Sequence, residues 1–169
     1  MNFRRLGMDD VDCFREIRLT ALRDSPENYA STYDDWDRRT DADYRAILRT
    51  ERVFAVFDGP VAVALAGLVN EEKSKMAHRT TLAMVFVDPE RRGSTAADVL
   101  MKGVIDQARA DGRKQIEAAV NAENARAIRY YKRYGFEKIG KTPRGFVHKG
   151  RYIDEVLMVL MLDKAAEPA

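Results

Sequence analysis

An apolar, β-branched run, TTLAMVFV at residues 80–87, passes directly into a polar turn, DPERRG, and then into STAADVLMKGVIDQARAD. The order is restrictive. A buried strand must leave its sheet, turn at once and feed an amphipathic helix, which calls for strand and helix layers in one α/β or α+β fold. Pro89 ends the strand because proline removes a ladder donor. Gly93 permits unusual backbone angles. Ser94, Thr95, Ala96 and Ala97 keep side chains short where the N–H groups of a helix start point outward. With the helix dipole, Arg92 to Ala97 can cradle an anion such as a pyrophosphate. The turn is neither a dinucleotide-binding GxGxxG nor a phosphate loop ending in Gly-Lys-Ser/Thr. A plain strand–helix connection with Ser94 or Thr95 as N-cap accounts for the same residues.

Around this stretch the pattern predicts a strand at 2–6, then a helix from Asp9 or Asp10 to Leu22 with Val11, Phe14, Ile17 and Ala21 at helical spacing. Residues 27–40 read as a short helix with a loop, and Asp41 as the cap of a helix over 42–49. Strands follow at 52–57 and 60–69, turned by Asp58-Gly59, with Gly67 interrupting the second. Beyond the strand at 80–87, the helix of 94–110 presents Val99, Leu100, Val104, Ile105 and Ala108 to the core. A strand at 115–120 and a helix at 124–134 come next. The last two strands, 136–140 and 152–162, are joined by a basic loop containing Gly and Pro. The order β-α-α-β-β-β-α-β-α-β-β specifies a mixed sheet with helices on its faces. One domain is expected over 1–163, with a frayed tail at 164–169.

Composition narrows the function. Lys+Arg at 29 against Asp+Glu at 27 is too balanced for a general nucleic-acid coat. The single cysteine, Cys13, allows no internal disulfide and no thiolate metal site. It reads as a small, partly buried hydrophobe. No metal is expected. No apolar run approaches membrane-spanning length and the N-terminus lacks a signal-peptide core, so no membrane association and a cytoplasmic location are expected. The loop residues His78 and His148 are more simply solvated than catalytic. Tyr29, Tyr33 and Trp36 interleave with Asp34, Asp35 and Asp37. They could line a pocket for a cationic amine, although aromatics packed on the core beside a solvated acidic face are the simpler account.

A second pattern lies in NAENARAIRYYKRYGF at 121–136, where Asn124, Ala127, Tyr131, Gly135 and Phe136 stand at spacings a simple helix does not require. A helix capped by Asn124 and stopped by Gly135 is the ordinary explanation. The two patterns, in this order and separation, resemble the GNAT superfamily of N-acetyltransferases. That family carries an Arg/Gln-x-x-Gly-x-Gly/Ala turn, here on Arg92, Thr95 and Ala97, and an Asn…Ala…Tyr-x-x-x-Gly-Phe pattern, here on the five residues just named.

The resemblance implies a mixed, mostly antiparallel sheet splayed between its fourth and fifth strands. It also implies acetyl transfer from acetyl-CoA to a primary amine, most simply of a small molecule, by direct attack on the thioester. Val85, Phe86 and Val87 are then assigned to the pantetheine, and the amides of Arg92, Gly93, Ser94, Thr95, Ala96 and Ala97 to the pyrophosphate. Asn124 would bond the pantetheine arm. A backbone N–H near Phe86 or Val87 would stabilise the oxyanion. Tyr131 would protonate the leaving thiolate as general acid. A homodimer is compatible with the family.

Two departures stand out. Thr95 occupies a position where the family usually has glycine, and its branched side chain would crowd a pyrophosphate or donate a hydrogen bond to it. No acid lies on the strand at 80–87. Glu117 is a candidate base acting through water, with a surface salt bridge as its simpler role. The basic residues Arg126, Arg129, Lys132 and Arg133 are most simply a solvated helix face, and could otherwise meet the nucleotide's 3′-phosphate or nucleic acid. Lys138, Lys141, Arg144, Lys149 and Arg151 extend the positive region through the last loop and, if it borders the acceptor pocket, suggest an anionic acceptor, whereas the acid-rich 34–43 suggests a cationic one. The alternatives are a protein N-terminal or lysine acetyltransferase, a catalytically weak CoA-binding regulatory module and, more remotely, a nucleic-acid-binding adaptor.

Overall fold

Two short sequences, Thr32-Tyr33-Asp34-Asp35 and Thr40-Asp41-Ala42-Asp43, set the helical entry to the fold. Each forms a capping box. The threonine hydroxyl accepts from the N–H of the aspartate three residues on, at 3.1 Å and 3.3 Å, and that aspartate accepts from the threonine N–H at 2.9 Å and 2.8 Å. The cap of the second helix is therefore Thr40 rather than Asp41. Asp41 instead pairs with Arg15 at 2.5 Å. The amide bonds hold the Asp35 and Asp43 carboxyls below the usual range.

In the computed structural model, which describes residues 1–163, the elements run β1 (Asn2–Arg5), α1 (Val11–Asp24), α2 (Tyr33–Asp37), α3 (Asp41–Thr50), β2 (Arg52–Asp58) and β3 (Val61–Asn70). They continue as β4 (Arg79–Val87), α4 (Ala96–Ala110), β5 (Gln115–Asn121), α5 (Ala125–Arg133), β6 (Glu137–His148) and β7 (Arg151–Met161). Three helices precede β2, as the residue-by-residue reading expects although the element order counts two, and the two capping boxes start the second and third. The expected tail at 164–169 lies outside the described residues. The seven strands form one mixed sheet in the order β1-β2-β3-β4-β5-β7-β6. β4 and β5 pair in parallel, Arg79 with Gln115 through Thr81 with Glu117. β1–β2, β2–β3, β5–β7 and β6–β7 are antiparallel.

The chain divides into two compact units, Met1–Val69 with Leu82–Val104, and Asn70–Thr81 with the chain from Ile105 onward. The core of the first is built from α1 (Val11, Phe14, Ile17, Leu22), from Trp36, Tyr44 and Leu48, and from Val53, Ala55, Leu65 and Phe86 on the strands. Phe14, Trp36 and Tyr44 meet edge to face with centroids 5.4–5.7 Å apart, an arrangement that aligns ring edges with ring faces. Cys13 is half-buried against this core, and burial pushes its thiol up.

Two glycines have local reasons. Met84, in the middle of β4, has φ 56°, a left-handed conformation that is strained for a residue with a Cβ. Facing it on β3, a Cβ at Gly67 would stand 2.5 Å from Met84 Cε, so the Met84 side chain fills the space that glycine leaves. Gly103, inside α4, faces the Phe3 ring at a distance that admits no side chain. The buried stripe of α4 is Ala96, Leu100, Met101, Val104, Ile105 and Ala108. Met101 takes the place expected for Val99, which is half-buried.

In the second unit the expected basic loop is instead strand. β6 continues to His148, and β7 begins at Arg151 after the turn at Lys149 and Gly150, with φ 49° and 74°. The irregularity sits within β6, where the register shifts between Thr142 and Phe146 and Arg144 has φ 53°. The Arg144 N–H donates to Asp154 Oδ1 at 2.8 Å, which holds the bulge.

Candidate functional site

The residues singled out in the sequence fall on both units. In the first, the kink at Met84 re-aims the backbone that follows it. The carbonyl of Val85 accepts a hydrogen bond from the Tyr29 hydroxyl at 2.9 Å. Burial pushes the Tyr29 hydroxyl up to about 12, so it stays protonated and remains a donor. Phe86 is buried, whereas Val85 and Val87 are half-exposed. At the end of β4 the Asp88 N–H donates to the Val63 carbonyl at 2.9 Å. The Asp88 carboxylate accepts from the Glu90 N–H at 2.8 Å, which begins a single 3₁₀ turn, Pro89–Arg91. Arg91 pairs with Asp58 at 3.0 Å.

The turn between this 3₁₀ segment and α4 sorts five of the six amides expected to hold an anion, those of residues 92–96. The Arg92 N–H is bonded to the Pro89 carbonyl (3.3 Å) and the Ser94 N–H to the Arg91 carbonyl (3.1 Å), while the Ala96 N–H reaches Ser94 Oγ (3.2 Å). These three amides are consumed by the turn. The Gly93 and Thr95 amides donate to no acceptor among the described residues. Both residues are exposed, and nothing lies within 4 Å of a Cβ built at Gly93, where φ is 88°. Two unpaired donors at the positive end of a 15-residue helix fit an anionic group. The exposed Thr95 hydroxyl makes no hydrogen bond among the described residues and remains able to donate. The Arg92 side chain lies back along the chain, its Nε 3.4 Å from the Val87 carbonyl.

In the second unit, α5 is defined at both ends. Asn124 Oδ1 accepts from the Ala127 N–H at 2.9 Å, an N-cap. At the other end the Gly135 N–H donates to the Lys132 carbonyl (3.0 Å) and the Phe136 N–H to the Tyr131 carbonyl (3.2 Å), with Gly135 at φ 88°. This is a Schellman motif, and its usual apolar contact is present. The Phe136 ring meets the Tyr131 ring edge to face at 5.2 Å. The spacing Tyr-x-x-x-Gly-Phe thus has a mechanical meaning: the cap fixes Tyr131, which is 7% exposed. A Cβ at Gly135 would sit 3.3 Å from Leu160 Cδ1 on a left-handed backbone. Gly135→Ala is expected to cost about 1–2 kcal/mol, seen as a lower melting temperature. A loss of function larger than the loss of folded protein would show that Tyr131 has been displaced.

Glu117 accepts two hydrogen bonds from Arg79, at 2.5 Å and 2.7 Å, and a third from Gln115 at 2.7 Å. Arg79 holds its carboxyl below the usual range. A carboxylate so engaged is a weak base. Two cations of the strand pair are answered within their own unit: Lys141 pairs with Asp154 at 2.5 Å and Arg151 with Glu123 at 2.6 Å. Arg126, Arg129, Lys132 and Arg133 are exposed, as is His78, while His148 is half-buried in β6. Among the described residues no group of three or more His, Cys, Asp or Glu is placed to hold a metal, and no helix is long and apolar enough to cross a membrane. Neither the bond from Tyr29 to Val85 nor the kink at Met84 was expected from the sequence. The available signal for the kink was Gly67, a glycine with no turn to explain it.

Residues 14–136 match the Acetyltransferase (GNAT) family. The chain belongs to the GNAT family. Among related proteins, an uncharacterised N-acetyltransferase of Methanocaldococcus jannaschii is 31% identical over 141 residues, 80% of this chain and 60% of that one. An L-methionine sulfoximine/L-methionine sulfone acetyltransferase of Salmonella typhimurium is 33% identical over 84 residues, 50% of this chain and 49% of that one. This GNAT chain thus covers only 60% and 49% of the lengths of these curated relatives. Among solved structures, the acetyltransferase-like yncA of Salmonella typhimurium, held with its cofactor acetyl-CoA, superposes with a TM-score of 0.80 at 25% identity, covering 100% of this chain and 98% of that one.

Proposed function

We propose that the protein transfers the acetyl group of acetyl-CoA to the primary amine of a small molecule. The observation that carries this reading is the start of α4, where the Gly93 and Thr95 amides point away from any protein acceptor. On this reading they receive the pyrophosphate, and the Thr95 hydroxyl adds a donor where the family usually has none. Val85, Phe86 and Val87 face the pantetheine, and the amide of Phe86 or Val87, just past the kink, is the oxyanion donor. The Asn124 side chain, whose oxygen also caps α5, contacts the pantetheine arm. Tyr131 is the general acid toward the leaving thiolate. Glu117 receives no role in proton removal, because Arg79 already holds it. The amine reacts from its neutral fraction, about one part in 10³ at pH 7 for an alkylamine, with water carrying the proton away. The small-molecule acceptor is supported by the relative that acts on methionine sulfoximine.

Acetyl-CoA at millimolar concentration is expected to raise the melting temperature, and a panel of primary amines to release free CoA in its presence. A protein whose melting temperature ignores acetyl-CoA does not have this function. One that binds acetyl-CoA but releases no thiol with any amine is a binding module instead.

A further inference from the structure

Arg18 carries a charge that the fold leaves unanswered. It lies on the inner face of α1 and is 3% exposed. Its Nε and Nη1 are enclosed without an acceptor, and it forms no ion pair or hydrogen bond among the described residues. Two aromatic faces surround it, with Cζ 4.9 Å from the Tyr29 ring centroid and 4.6 Å from that of Trp36. The charged groups near it are Arg39, itself stacked on Trp36 at 4.5 Å, and the half-buried Glu51. Burial pulls the Arg18 guanidinium down to about 10, still above neutral pH, so it is charged in the folded protein. Ring faces offset part of the desolvation cost but accept no N–H in the plane of the fork. A leucine or methionine would fill the same place at less cost.

The acids that might have answered it are committed elsewhere. Asp35 and Asp43 close capping boxes, and Asp41 and Asp10 pair with Arg15 and Arg4. Three of the acids in 34–43 are thus engaged within the fold. One tyrosine away from Arg18 is β4, because the ring that covers the guanidinium donates its hydroxyl to Val85.

We propose that Arg18 recognises the acceptor, taking the carboxylate of an amino acid whose amine is the group acetylated. This rests on the transferase reading above and narrows its acceptor to a carboxylate-bearing amine. A planar guanidinium fork matches a carboxylate with two parallel hydrogen bonds, and the aromatic walls exclude water from the pair. The amine of an α-amino acid so held stays two bonds from its carboxylate, and the nearest strand backbone is reached through Tyr29, at Val85. The cover that must yield on entry is the irregular segment between α1 and α2 that carries Tyr29.

The test uses the whole chain and matched pairs of acceptors. L-methionine sulfone, L-phenylalanine and L-leucine are each compared with the amine lacking the carboxylate: 3-(methylsulfonyl)propan-1-amine, 2-phenylethylamine and 3-methylbutylamine. Free CoA is the readout. In the wild type kcat/KM is expected to be at least about 100-fold higher for the carboxylated member of a pair that reacts. In Arg18→Lys, which keeps charge but loses the fork, and in Arg18→Met, that ratio falls at least tenfold, mainly through KM, while acetyl-CoA still raises the melting temperature. A wild-type ratio near one, or an unchanged ratio in both variants, overturns the proposal and leaves the transferase reading standing. If no amine of either kind releases CoA, the transferase reading fails, and the amino acids' own effect on melting temperature decides about Arg18. A shift in the wild type that Arg18→Met abolishes supports it, and no shift overturns it. Should neither variant fold, the wild-type ratio alone decides.

Discussion

Tyr131→Phe is expected to lower turnover by about 10²–10⁴-fold, the range for loss of a positioned general acid, while acetyl-CoA continues to raise the melting temperature. The substitution retains the buried ring. The edge-to-face contacts of Tyr131 with Tyr130 at 5.8 Å and with Phe136 at 5.2 Å survive the loss of the hydroxyl. The Schellman bonds use the Tyr131 backbone carbonyl and are untouched. Steady-state thiol release with the best amine of the panel is the measurement. Turnover within twofold of wild type would remove Tyr131 from the chemistry and leave its family position as part of a helix cap. Gly135→Ala is the companion experiment, since it retains the hydroxyl but disturbs the cap that positions it.

Trp36→Ala should cost about 3–5 kcal/mol of stability, a fall in melting temperature on the order of 10 °C for a chain of this size. The helix that carries Trp36 has only five residues and cannot persist without tertiary packing. Its indole is 6% exposed, meets Phe14 and Tyr44, and lies under the guanidinium groups of Arg18 and Arg39. Truncation opens a cavity and removes ring faces from two cations at once, one of them fully enclosed. Trp36→Phe keeps a face and should lose clearly less. Equal losses in the two variants, or a loss below about 1 kcal/mol for alanine, would mean that the surroundings collapse into the gap and that the cations do not depend on the ring. Denaturant unfolding of the three proteins separates these outcomes.

Much of this was legible in the residues. The alternating apolar run of β4 followed by a small-residue helix start has one sensible fold, and the Asn124 to Phe136 spacing identified a helix with defined ends. The position of Arg18 was also readable. It lies four residues after Phe14 and seven after Val11, on the stripe that was expected to be buried, and an arginine there is a query in itself. Other features were hidden for physical reasons. Which amides of the α4 turn stay unpaired depends on a 3₁₀ turn and on the Ser94 hydroxyl, whose geometry spacing does not encode. The basic stretch that proved to be the second half of β6 read as loop because Gly and Pro usually interrupt strands, yet a bulge held by Asp154 lets the pairing continue. The acid-rich segment suggested a cation seat because composition does not distinguish a free carboxylate from one turned back on its own helix start.

The close approach of Gly67 and Met84 joins two strands into one unit of variation. Extending the side chain at 67 requires the Met84 thioether to swing aside or a shorter side chain at 84. Relatives that share this kink should therefore trade volume between the two positions rather than change either alone. Any redesign of β3 at this point is at the same time, through a single methyl group, an intervention in the packing of β4.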